Sequence, residues 1–166
     1  MFAALAVSPC LAQERVDAEA FCRKAGRNQA IYELLPESMT ATGGAEAGAV
    51  TCSWTLSRME GSDVLVTLDS RVLKSATAAR QAILLARLPE NRQDKTVEPL
   101  PKMGDDGLSR ATMEQGKLTL FEIEAAKGQR HFLLTVRARD GSGLTYRIAG
   151  ASISFLGAGI AALERP

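Results

Sequence analysis

The sequence predicts an α+β fold: an antiparallel sheet of about five strands with helices packed on one face, in the order α-β-β-α-β-β-β-α. Three observations carry that prediction. Lys117 to Arg139 reads as two period-two runs around a Lys127-Gly128 turn, the pattern of a hairpin. Residues 49–57 and 64–70 alternate in the same way. Residues 75–88 and 144–163 instead carry apolar side chains at helical spacing.

Taken in order, Val16 to Ala25 predicts a short helix with Asp17 as N-cap, Phe21 and Cys22 facing inward and Gly26 ending it. A helical turn is expected over Gln29 to Leu35, and Pro36 to Gly48 reads as a loop. In the first strand Val50, Cys52, Trp54 and Leu56 face one way, with Thr51, Ser53, Thr55 and Ser57 on the other side. The second strand brings Val64, Val66 and Leu68. The two apolar sets share a face if Leu56 opposes Val64 and Trp54 opposes Val66, which a loop at Met59-Glu60-Gly61 achieves.

The helix over Ser75 to Leu88 has a stripe of Ala79, Ala82, Ile83 and Ala86, with Arg80, Gln81 and Arg87 expected in water. Residues 90–102 read as a polar linker and Gly104 to Gly107 as a turn. Leu108 to Met113 predicts a short strand, joined to the hairpin by Glu114-Gln115-Gly116, with Ala111 and Met113 on the face of Phe121. In the hairpin, Ile123 is set opposite Phe132, Phe121 opposite Leu134 and Thr119 opposite Val136. The other face pairs Glu124 with His131, as an exposed charged pair, and Leu118 with Arg137. The last segment, Leu144 to Leu163, predicts a helix with Tyr146, Ala149, Ile153, Leu156, Ile160 and Leu163 toward the sheet, with a strand over Ile148 to Leu156 as the competing reading because three glycines weaken the helix. Gly150, Ser154, Ala158 and Ala162 recur every fourth position beside them, a stripe that lets another backbone come close.

The 166 residues suit one domain, and a formal net charge of +1 provides no global field for nucleic acid or an anionic membrane. Residues 1–12 read as the end of a truncated secretory signal peptide, an apolar stretch running into Cys10-Leu11-Ala12, with 13–166 as a single α+β domain. Pro9 before Cys10 argues against a lipid-attachment cysteine. Removing that segment leaves Cys22 and Cys52, an even pair that reads as a disulfide in an exported, periplasmic or secreted chain.

No reaction emerges from the motifs. His131 is the one histidine, and its mid-strand position opposite Glu124 suits an ion pair better than a triad. Without a second His or a spaced Cys set, no metal site is expected. Asp105-Asp106 lacks the alternating ligands of a calcium loop. Gly157 to Ala162 matches a loose dinucleotide fingerprint without room for the rest of that unit, and no cofactor is expected. Trp54 sits among core-facing residues, where packing accounts for it.

A Cys in the first helix, Cys52-Ser53-Trp54, the Gly104-Asp105 turn, the strand–turn–strand unit and a terminal helix together resemble a family of small secreted bacterial proteins of unknown function, many of them actinobacterial lipoproteins. Those relatives tend to carry Gly-Leu-Gly-Asp-x-Ala where this chain has Lys102 to Gly107, and a lipid-attachment cysteine that is missing here. The resemblance implies export, a Cys22–Cys52 bridge and an α+β sandwich, and no reaction. The resulting expectation is a non-catalytic exported module that binds a protein or envelope partner, with a homodimer through the C-terminal helix as one form of it and no transmembrane segment. The alternatives are an enzyme acting through Asp105, Asp106 and Arg110, and a membrane-associated protein using residues 148–163.

Overall fold

The computed structural model describes residues 17–26, 34–44, 46, 48–58, 64–88, 95–139 and 143–164. The proposed signal segment, the 59–61 loop and most of the helical turn expected over 29–35 lie outside them. The fold is α+β, with seven antiparallel strands and three helices among the described residues. Helix α1 (Ala18–Ala25) precedes β1 (Leu34–Gly43), β2 (Val50–Arg58) and β3 (Val64–Val72). Helix α2 (Ala76–Ala86) leads to β4 (Lys95–Pro99), β5 (Asp106–Glu114), β6 (Lys117–Lys127) and β7 (Arg130–Ala138), and α3 (Tyr146–Leu163) follows. The strand order is β1-β2-β3-β7-β6-β5-β4, two meanders joined edge to edge by the β3–β7 pair.

The two strands beyond the expected five are the two edges of the sheet. Strand β1 occupies what reads as a loop, because its inward residues are as small as Ala41 and Pro36 sits near a bulge between 36 and 38. Strand β4 lies in the expected linker, where Lys95-Thr-Val-Glu-Pro99 offers one apolar side chain to the sheet. An edge strand needs partners on one side only, so proline and polar residues are tolerated there.

In the first meander the expected pairing holds: Trp54 opposes Val66 and Leu56 opposes Val64. In the central hairpin the faces hold but the register is two residues off. Ile123 opposes Leu134, Phe121 opposes Val136, and Lys127 opposes Arg130, so the loop is Gly128-Gln129. Gly128 takes φ 55° at the first loop position, a conformation glycine adopts without strain. The β5–β6 loop is Gln115-Gly116, one residue shorter than expected, with a bulge between Thr112 and Met113. That bulge inverts the phase of Leu118, which is buried in the core rather than on the polar face, while Met113 is exposed.

Helices cover both faces of the sheet, correcting the one-face expectation. On one face α1 lies against β1 and β2, and α3 lies against β6 and β7. Their core joins Phe21, Cys22, Trp54, Val66, Phe121, Phe132, Leu134, Phe155 and Leu156. Trp54 meets Phe155 edge to face at 5.4 Å between ring centres. The two helices also touch: a Cβ on Gly159 would stand 3.2 Å from the Ala25 carbonyl oxygen. On the opposite face α2 carries the chain from β3 across to β4, contacting β7, β6 and β5 on the way. It buries Ala79 and Ile83 against Leu108 and Ala126. Ser75 caps its start by accepting from the Ala78 N–H at 3.1 Å.

Cys22 of α1 and Cys52 of β2 form a disulfide, with S–S 2.04 Å and Cα atoms 5.5 Å apart. It lies inside the dry core and ties helix α1 to β2, the strand next to the β1 edge of the sheet.

Candidate functional site

The described residues hold two clusters of charge and one apolar helix with an outward face. The first cluster lies on the α2 face of the sheet. Arg110 of β5, Glu122 and Glu124 of β6 and His131 of β7 come together because strand alternation places them all on that side. Arg110 Nη2 pairs with Glu124 Oε1, and its Nε lies 3.5 Å from Glu122 Oε2. The second oxygen of Glu124 lies 3.0 Å from His131 Nε2. The shifted register sets Glu124 opposite Leu133, so this contact is a diagonal one.

Burial is where this pair departs from expectation. Glu124 is 7 % exposed and His131 is 3 % exposed, so the pair is interior rather than a solvated surface contact. Burial pushes the Glu124 carboxyl up, but the His131 hydrogen bond and the charges of Arg110, His131 and Arg71 outweigh it and hold the group below its ordinary value. A buried carboxylate beside the guanidinium groups of Arg110 and Arg71 and hydrogen-bonded to His131 is satisfied as an ion.

The second cluster forms at the β6–β7 turn of the same hairpin. Gly104 has φ 64° and packs so tightly that a Cβ would stand 2.4 Å from the Ala126 carbonyl oxygen. That approach delivers Asp105 to the β6–β7 turn, where its carboxylate accepts from the Gly128 N–H at 2.7 Å. Lys127 Nζ lies 3.2 Å from Asp105 Oδ1 and 3.4 Å from Glu164 Oε1. The Gly128 N–H and Lys127 together hold the Asp105 carboxyl below its ordinary value.

Asp106 points elsewhere. It accepts from Arg87 at the end of α2, and Arg87 also donates to the Gly107 carbonyl at 3.0 Å. Arg87 is therefore not directed to water, as the helix pattern suggests, but staples α2 to β5. Asp105, Asp106 and Arg110, the set weighed for an enzyme, thus serve three separate contacts and do not converge. Among the described residues no group of three or more His, Cys, Asp or Glu side chains could hold a metal ion.

Helix α3 is long and apolar enough to cross a membrane by length and composition, with mean hydropathy 1.4 and 39 % of its residues buried in the fold. Its inward set differs in part from the expected one. Ala149, Leu156 and Ile160 are buried as expected, joined by Ile148, Ser152, Phe155 and Gly159, while Tyr146 is 78 % exposed. Of the small-residue stripe, Gly150 and Ser154 are exposed and Ala158 and Ala162 are half-buried. The close backbone approach within the chain is made instead by Gly159 toward α1. Comparison of the chain with known protein families, with curated proteins and with solved structures returns no match.

Proposed function

We propose that this protein is an exported, non-catalytic module that acts in the periplasm or outside the cell on a protein or envelope partner. The Cys22–Cys52 disulfide carries this reading, because such a bond persists in oxidising compartments and is reduced in the cytosol. Two further features support it. The interior charges of Arg110 and Glu124 are paired with each other, and Glu124 is also hydrogen-bonded to His131. The outward stripe of Gly150, Ser154, Ala158 and Ala162 on an apolar helix offers a second copy, or another partner, a close backbone approach. The reading is tested by fractionating the source cells with thiol alkylation before lysis. The expected result is protein outside the cytoplasm with Cys22 and Cys52 both refractory to alkylation until reductant is added. Cytoplasmic protein with both thiols free overturns it.

A further inference from the structure

An open cleft of about 500 Å³ lies where the start of β7, the end of β3 and the C-terminal turn of α3 meet. Phe132 and Ile160 form its floor, Val72 and Leu163 its apolar sides, and Arg130, Lys127, Asp105 and Glu164 its polar rim. The two acids on the rim are both engaged by Lys127. Arg130 stands differently. Its Nη1 donates to the Gly48 carbonyl at 3.2 Å and to Ser70 Oγ at 3.0 Å, and its guanidinium carbon sits 5.3 Å over the Phe21 ring. All three partners are neutral. No carboxylate among the described residues pairs with it, although it is half-buried and burial weakens its hold on its proton. A guanidinium removed from water without a counter-ion is costly to the fold. Here three neutral contacts fix the orientation of a residue that lines the cleft.

We propose that this cleft binds a small monocarboxylate with an apolar tail, its carboxylate on Arg130 and its tail along Val72 and Leu163. Lys127 is shared between Asp105 and Glu164, so the four rim charges sum to zero; Arg130 is the rim cation with no carboxylate in contact among the described residues, and a ligand with two negative charges would meet the two rim acids more strongly than one with a single charge. Arg130 suits a carboxylate through paired N–H donors in one plane, held in place before the ligand arrives. The volume lies within the range of small-molecule sites. The inference does not depend on export, so it stands or falls separately from the reading above.

The test is a titration of the full chain, followed by backbone amide resonances, with octanoate as the probe and 1-octanol as its uncharged counterpart. Saturable shifts at Arg130, Phe132 and Leu163 with octanoate, and none with octanol, are expected. Arg130→Gln should weaken binding roughly tenfold to a hundredfold, the worth of a hydrogen bond to a charged group. Val72→Asp, an exposed position at the mouth, should weaken it as well while leaving the spectrum folded, and it decides the matter if Arg130→Gln does not fold. Equal binding of octanol, shifts mapping elsewhere, no saturation below about 10 mM, or wild-type affinity in the folded variants overturns the proposal.

Discussion

The two faces of the sheet are held by different physics. The face under α1 and α3 is dry: Trp54, Val66, Phe121, Phe132, Leu134 and Leu156 close on one another around a disulfide. The face under α2 is mixed: Ala79, Ile83, Leu108 and Ala126 make a small apolar contact, and beside it lies the charged set of Arg110, Glu122, Glu124 and His131. The first face loses stability when volume is removed. The second loses it when one charge is left without its partner. One sheet thus carries an apolar core and an interior salt network back to back, separated only by the direction of alternate side chains.

The largest effect should come from emptying the dry face. Phe132 is 2 % exposed, and Phe132→Ala should cost about 3–5 kcal/mol in chemical denaturation, the transfer loss plus an unfilled cavity. A cost below about 1 kcal/mol would mean that the face is not closed. Next comes the covalent tie. Paired Cys22→Ala and Cys52→Ala substitutions release a loop with a sequence separation of 30 and should cost about 3–4 kcal/mol, read from denaturation curves in which the slope steepens as the unfolded chain expands.

A smaller, pH-dependent effect belongs to the charged face. The Glu124 carboxyl is held below its ordinary value of 4.5 in the folded state, so it binds a proton less readily there than in the unfolded chain. Its contribution is therefore complete above about pH 4.5 and is lost as pH falls through the depressed folded value. Glu124→Gln should narrow the stability gap from wild type as the pH is lowered from 6 to 3, measured by urea denaturation at each pH. A gap that stays constant would remove the carboxylate from the account. The dry-face variants should show a pH-independent loss, which keeps the two faces distinguishable.

This contrast also explains what was legible in the sequence. The parity of a strand fixes its faces, and the two-residue register offset in the β6–β7 hairpin leaves parity intact, so the dry face reads correctly despite the wrong partners. Parity fails at the Thr112/Met113 bulge, which no residue type announces, and Leu118 is misassigned with it. The charged face is not legible from residue type, because charge by itself points to solvent and the partners that bury it come from three different strands. The sequence carries a signal in the consecutive apolar pair Ala125-Ala126, which breaks the apolar–polar alternation as a strand covered on both faces does, and both are buried in the fold. Edge strands β1 and β4 leave little trace in the sequence, because one-sided pairing imposes little on it. Of the candidate sites, the cysteine pairing was legible from count and context. The cleft at Arg130 was not, since it joins residues from β3, β6, β7 and α3 that nothing in the sequence brings together.

The central claim is that the charges beneath α2 form one structural unit, and a double-mutant cycle tests it most directly. Glu124→Ala, His131→Ala and the double variant are compared with wild type by urea denaturation at pH 7. Each single change removes a partner from a buried pair, so the account predicts losses that are strongly non-additive, with a coupling of about 1–3 kcal/mol. Losses that add to within about 0.3–0.5 kcal/mol would show two independent side chains and contradict it.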